Sequence, residues 1–125
     1  MEGESGFRDR ESAVVKDFAS RDNVVIATGG GVVLRPENRT VMSNASTIVY
    51  LEASLSTLVT RTEGKTKRPL LVGKDVRKVL QEIMAVREPL YREVADVTVG
   101  STGGSAKKLA GVIAEKLTAF KKGEP

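Results

Sequence analysis

Hydrophobic residues form three short runs along the chain, and each run is rich in β-branched side chains. The runs cover residues 23–28, 47–52 and 96–99, and they are bounded by Gly, Asn, Ser or Asp residues. Runs of this kind predict β-strands. The first two are almost continuously apolar, which is typical of parallel strands that are buried on both faces.

Around these runs, apolar residues recur every three or four positions, as they do on one face of an amphipathic helix. Ser is a typical N-cap, and Pro is well tolerated in the first turn. We predict helices over residues 7–19, 76–91 and 105–121, and shorter ones that begin at Pro36 and at Ser54 or Ser56. Alternating strands and helices predict an α/β fold with a parallel sheet.

One segment lacks this periodicity. Residues 61–75 mix charged side chains with Gly64, Pro69 and Gly73. Because glycine, proline and mixed charges interrupt any regular pattern, we predict a mobile loop over 61–75. Loops of this length are uncommon in compact domains and often have a function.

Three consecutive glycines, Gly29, Gly30 and Gly31, follow the first predicted strand. Ligands of parallel α/β sheets bind beyond the carboxyl ends of the strands. Glycines at such a position leave backbone N–H groups open to a ligand. The run is therefore a candidate binding site, although a tight turn would also explain it. It is not a phosphate loop, because the pattern GxxxxGK[ST] is absent from the chain.

Composition restricts the chemistry that this chain can perform. Its 125 residues suit one domain, and its net charge of +4 is compatible with an anionic small ligand. Aromatic residues make up only 4%, which argues against nucleic-acid binding through base stacking. The absence of His and Cys excludes disulfides, His general bases and most zinc sites. No apolar run approaches the length of a membrane span.

The candidate anion-binding side chains are Arg8, Arg68 and Arg87, because Arg can bind a carboxylate or phosphate through two parallel hydrogen bonds. Arg68 and Arg87 each lie just before a Pro-Leu pair, and the proline stiffens the backbone that aims them. Glu11 lies one helical turn beyond Arg8, so it could orient Arg8 or accept a hydrogen bond from a substrate hydroxyl. Each of these residues taken alone is more typical of an ordinary surface charge.

Taken together, five blocks of the sequence resemble the shikimate kinase family in their order and spacing. The likeness extends from residue 2 to about the final helix, and five blocks are far more specific than any one of them. The blocks are EGESGFRDRE at 2–11, IATGGGVV at 26–33, VYLEAS at 49–54, RTEGKTKRPLL at 61–71 and REPLYREVADVTV at 87–99.

The resemblance implies a fold and an activity. The fold is three-layered and similar to that of P-loop nucleoside-monophosphate kinases, with a five-stranded parallel sheet. The activity is transfer of the γ-phosphoryl group of ATP to the 3-hydroxyl of shikimate with Mg²⁺. This reaction belongs to the chorismate pathway of aromatic amino acid biosynthesis, and the resemblance implies a cytoplasmic enzyme.

The resemblance also implies roles for individual residues. Arg8 and Arg87 match arginines that grip the shikimate carboxylate, and the backbone of 29–31 matches glycines that contact the ring hydroxyls. The remaining matches are Phe7 and Glu11 in the lining of that pocket, Arg68 as the catalytic lid arginine on the nucleotide phosphates, and Gly104 near the adenine, where the family often has a longer side chain. No metal-ligating residue is implied within the chain.

The chain departs from the family in one respect. The family's phosphate loop and first two strands, including the central strand of a sheet ordered 2-3-1-4-5, are not found in the 125 residues. We therefore expect a partial shikimate kinase domain over 1–125, a piece that begins at an internal Met and includes a lid loop at 61–75. We expect it to be inactive alone, because the phosphate loop carries the main ligands of ATP and Mg²⁺. We also expect self-association through exposed sheet edges.

Two alternative functions stay open at this point. The chain could be a non-catalytic module that binds shikimate or a protein partner. It could also derive from another small-molecule kinase of similar fold, such as gluconate kinase. The glycine run together with the RPLL and REPLY blocks favours shikimate.

Overall fold

A computed structural model describes residues 3–65, 75–101 and 105–120 of the chain. Within these ranges helices dominate, and two short strands form a sheet. The elements are α1 (Gly3–Ala19), a 3-10 helix (Gly30–Leu34), α2 (Pro36–Ala45), β1 (Val49–Glu52), α3 (Leu55–Lys65), α4 (Val76–Val94), β2 (Val97–Gly100) and α5 (Ala106–Ala119).

The helices begin where their capping residues predict. Pro36 occupies the first turn of α2, where its missing N–H costs nothing. Side-chain oxygens of Ser54, Asp75 and Ser105 accept hydrogen bonds from backbone N–H groups in the first turns of α3, α4 and α5. These bonds satisfy N–H groups that have no acceptor within the helix. Of the two serines predicted to begin α3, Ser54 is therefore the cap.

The sheet consists of β1 and β2, which run parallel with Val49 opposite Val97. Val97 and Val99 are buried, and α5 packs against β2. The predicted α/β fold with a parallel sheet is confirmed.

The predicted strand at 23–28 is wrong. This segment is not paired with any strand among the described residues, and the side chain of Val25 is fully exposed, at 101% of its reference area. Strands exist through hydrogen bonds to a neighbour, and an apolar run predicts burial without showing that a neighbour is present. Asn23 turns the chain into this segment with a positive φ of 58°, a conformation that Asn tolerates better than most residues.

A small valine core holds the elements together. Val15 of α1, Val32 and Val33 of the 3-10 helix, and Val94 of α4 are buried against one another. Asn38 of α2, which is only 2% exposed, donates a 2.9 Å hydrogen bond to the carbonyl oxygen of Val32. The core thus brings α1 and the last turns of α4 against the segment that follows the three glycines.

The predicted loop at 61–75 is wrong for its first five residues, which continue α3 as far as Lys65. Residues 66–74 lie outside the described residues, so the loop there stays a prediction. None of the helices in the described ranges combines the length and the apolar character that a membrane crossing needs.

Candidate functional site

The three glycines at Gly29–Gly31, here called the glycine turn, lead directly into the 3-10 helix. A Cβ atom built on Gly31 would lie 2.7 Å from Cζ of Arg8, closer than real Cβ atoms approach a neighbour. Gly31 is therefore required for the guanidinium group of Arg8 to lie against the backbone. This requirement comes from the protein itself, before any ligand is considered.

Gly30 makes room for two side chains of α4. A Cβ atom at this position would lie 2.7 Å from Oη of Tyr91 and 3.3 Å from Nη1 of Arg87. The hydroxyl of Tyr91 donates a 2.8 Å hydrogen bond to the carbonyl oxygen of Gly30. Gly29 is less restricted, because its Cβ position lies 3.8 Å from Oε2 of Glu11, an ordinary van der Waals distance. The turn thus separates an arginine of α1 from an arginine of α4.

Arg8 is held in place by residues of its own helix. Its Nη1 donates a 2.8 Å hydrogen bond to Oε1 of Glu11, and both side chains are largely buried, with exposures of 16% and 14%. Glu4 lies 3.7 Å away on the solvent side, and the guanidinium carbon lies 5.2 Å from the centre of the Phe7 ring. Nε of Arg8 is buried and has no hydrogen-bond partner among the described residues. Glu11 therefore orients Arg8 without satisfying all of its five donors.

An apolar groove of about 390 Å³ opens beside the turn, between α1 and the extended segment before Gly29. It brings together three of the residues singled out from the sequence, Phe7, Glu11 and Gly29, while Arg8 and Arg87 lie against the neighbouring glycines. Its other lining residues are Arg10, Val14, Val15, Phe18, Ile26, Ala27, Thr28 and Val32.

A hydrogen-bonded cluster that the sequence analysis missed joins β1 to α4. The hydroxyl of Tyr50 donates to Glu88, and Arg92 donates to both Glu88 and Glu52. Burial, reinforced by Glu88, raises the pKa of the Tyr50 hydroxyl. The hydrogen bond from Tyr50 in turn lowers the pKa of Glu88, and Arg92 adds to that effect. The i, i+4 spacing of Glu88 and Arg92 was the available sequence signal.

Arg68 and Gly104, both predicted to contact nucleotide, lie outside the described residues. Within the described ranges, no group of three or more acidic or other metal-ligating side chains could hold a metal ion, and the sequence has no phosphate loop. The described residues do not by themselves fit a site for Mg²⁺ and ATP.

Comparison with known proteins identifies a family. The family model described as shikimate kinase matches residues 1–118. Shikimate kinase from Halorhodospira halophila is 49% identical over 117 residues, which cover 94% of this chain and 66% of that protein. Shikimate kinase from Francisella tularensis subsp. holarctica is 47% identical over 118 residues, which cover 94% of this chain and 67% of that protein. The chain thus spans about two thirds of the length of these relatives.

Solved structures show the same likeness. A shikimate kinase from Acinetobacter baumannii in complex with shikimate aligns with a TM-score of 0.87 and 36% identity, covering 98% of this chain and 68% of that one. Shikimate kinase from Bacteroides thetaiotaomicron aligns with a TM-score of 0.80 and 25% identity, covering 95% of this chain and 71% of that one.

Proposed function

Because this chain belongs to the shikimate kinase family, we propose that the glycine turn and its two arginines bind shikimate, the phosphoryl acceptor. The observation that carries this proposal is the pair of close approaches at adjacent glycines, with Arg8 against Gly31 and Arg87 against Gly30. Two guanidinium groups that converge on one short turn can hold one carboxylate from two directions. Two such anchors fix a small rigid ring in a single orientation.

The two arginines contribute differently to this site. Arg8 is already oriented by Glu11, and the ion pair keeps its guanidinium group in place before substrate arrives. Arg87 has no ion pair with any residue in the described ranges, so its charge is available to an anion. We assign Arg87 the larger share of the carboxylate binding energy, because it gives up no ion pair with a described residue to make the new one.

The remaining residues around the turn suit the rest of the substrate. Residues 29–31 are glycines, so no side chain keeps the ring hydroxyls of a substrate away from their backbone N–H and C=O groups. Glu11 has a second carboxylate oxygen, 3.8 Å from the Cβ position of Gly29, that can accept from a hydroxyl. Phe7 is half exposed at the groove and offers an apolar wall to the carbon ring.

The reaction that this site serves is transfer of the γ-phosphoryl group of ATP to the 3-hydroxyl of shikimate, with Mg²⁺, in cytoplasmic aromatic amino acid biosynthesis. Arg68 on the segment 61–75 is the residue we assign to the nucleotide phosphates, with Gly104 near the adenine. The phosphate loop that carries the main ligands of ATP is not among these 125 residues. We therefore propose that this chain alone binds shikimate and does not turn it over.

Calorimetric titration of the purified chain with shikimate tests the proposal. We expect binding by the wild-type chain and its loss in Arg87→Ala, with binding kept in Arg77→Ala, a matched control at the other end of α4 whose side chain contacts Ser56. A folded wild-type chain that binds no shikimate would overturn the proposal. Gluconate titrated in parallel separates it from the gluconate kinase alternative, since only shikimate should release heat.

A second assay separates binding from catalysis. ADP release from ATP is followed in the presence of shikimate, and we expect none above the rate without protein. Turnover by the 125 residues would contradict the part of the proposal that makes this chain a binding unit only.

A further inference from the structure

Arg87 and Tyr91 lie one turn apart on α4, so their side chains leave the same face of the helix. Both reach Gly30, where the Cβ position is 2.7 Å from Oη of Tyr91 and 3.3 Å from Nη1 of Arg87. The Tyr91 hydroxyl also donates a 2.8 Å hydrogen bond to the carbonyl oxygen of Gly30. One helix face therefore carries both an arginine of the site and a clamp on the backbone beside it.

The ring of Tyr91 is itself held from behind. The ring of Tyr50 on β1 packs against it, with centroids 5.1 Å apart and planes tilted by 35°, a geometry in which aromatic pairs attract. The hydroxyl of Tyr50 donates to Glu88 of α4, which fixes Tyr50 in turn. Tyr91 also packs against the valine core. The position of its hydroxyl is thus set by β1 and the core together.

We propose that Tyr91 is a positioning residue for the substrate site, and that its hydroxyl sets the distance between the glycine turn and Arg87 by holding the carbonyl of Gly30. The inference rests on the proposed function above. Tyr91 acts through Gly30 and not on the substrate. A turn held in its binding geometry loses less conformational freedom when a ligand binds, so the hydroxyl contributes mainly to affinity.

The substitution Tyr91→Phe tests this directly, because it keeps the ring and removes only the hydroxyl. We expect the Kd for shikimate to rise about fivefold to tenfold, with a thermal unfolding midpoint close to that of the wild-type chain. Thr118→Val is the control, since it removes a hydroxyl that donates to the carbonyl oxygen of Ala114 within α5, and it should keep the wild-type Kd. An unchanged Kd in Tyr91→Phe would overturn the inference.

A double-substitution cycle adds a readout that a merely structural role would not move. In the wild-type background, Gly30→Ala places a methyl group against the Tyr91 hydroxyl and should weaken binding. In the Tyr91→Phe background that hydroxyl is gone, and the same substitution should cost a smaller fold-change in Kd. Fold-changes in Kd that simply multiply would show that the two residues act independently and would contradict the inference.

The inference and the proposed function fail in different ways. If the folded wild-type chain binds no shikimate, the proposed function fails. The positioning role of Tyr91 is then tested on the glycine turn itself, without a ligand. Amide resonances of Gly30 and Gly31 should shift, and their hydrogen exchange should accelerate, in Tyr91→Phe and not in Thr118→Val. Glycine resonances that are the same in Tyr91→Phe and the wild-type chain would overturn the positioning role.

Discussion

The guanidinium group of Arg8 occupies the space into which a side chain on Gly31 would extend, with its Cζ only 2.7 Å from the Cβ position. The two residues lie on different elements, α1 and the 3-10 helix, and the valine core fixes the distance between these elements. The run of three glycines thus makes room for the two arginines that lie against it.

The first prediction concerns this contact. Gly31→Ala should push Arg8 away and weaken shikimate binding by about tenfold to a hundredfold, the usual worth of a hydrogen bond to a charged group. Stability should change little, because the displaced atoms are the end of a flexible side chain. Calorimetry and thermal unfolding measure the two effects separately.

Gly111→Ala is the control for that experiment. A Cβ atom at this position of α5 meets no described atom within 4 Å, and Ala is the better helix former by about 1 kcal/mol. We expect wild-type binding and equal or higher stability. Wild-type affinity in Gly31→Ala itself would contradict the role of Gly31.

The second prediction concerns Asn38. Replacing it with Ala leaves the buried carbonyl of Val32 without its 2.9 Å donor, and an unsatisfied buried group of this kind costs about 1–3 kcal/mol. Chemical denaturation should show that the free energy of unfolding falls by this amount. The control Asn44→Ala, at an exposed position of the same helix, should lower the free energy of unfolding much less. Equal losses in the two variants would show that the buried hydrogen bond contributes nothing special.

The third prediction concerns the pH dependence of stability. The hydrogen bond from Tyr50, with a smaller effect from Arg92, lowers the pKa of Glu88 below its usual value of 4.5 in the folded chain. The unfolded chain therefore binds a proton more readily, and the free energy of unfolding falls as the pH drops through 4.5 toward the folded pKa. Denaturation curves recorded at a series of pH values give the free energy of unfolding at each one. From neutral to acid pH, this free energy should fall less steeply for Glu88→Gln than for the wild-type chain.

Glu82→Gln provides the comparison, because Glu82 is an exposed carboxylate on the same helix. Its acid dependence should follow that of the wild-type chain. If Glu88→Gln kept the full wild-type slope, the cluster of Tyr50, Glu88 and Arg92 would have no part in acid stability.

The fourth prediction concerns self-association. Val24, Val25 and Ile26 are exposed apolar residues on an extended segment, and one edge of β1 has no strand neighbour among the described residues. Exposed edges of this kind favour pairing with another chain. Sedimentation should show dimers or larger species that Val25→Lys reduces. Val112→Lys, at an exposed valine of α5, should leave them unchanged, and a monomeric wild-type chain would contradict the prediction.

Local patterns in the sequence were enough to predict most of the helices, although α3 continues to Lys65, into the predicted loop. The apolar spacing and the caps predicted α4 and α5 closely, because each depends on residues only a few positions apart. The segment 23–28 shows the limit of this approach, since its apolar residues could not reveal whether a neighbouring strand is present.

The residues around the glycine turn were predictable in part, through the family resemblance. The resemblance singled out Arg8, the three glycines and Arg87, and the structure brings these residues to one turn. Tyr91 was missed as a functional candidate, because its contact with Gly30 joins residues 61 positions apart. Only the packing of α4 against the 3-10 helix creates that contact.

A crystal structure of this chain with shikimate would test the central claim most directly. We predict that the carboxylate lies within about 3 Å of the guanidinium nitrogens of both Arg8 and Arg87, with the ring hydroxyls against the backbone of 29–31. A bound shikimate whose carboxylate touches neither arginine would contradict the account.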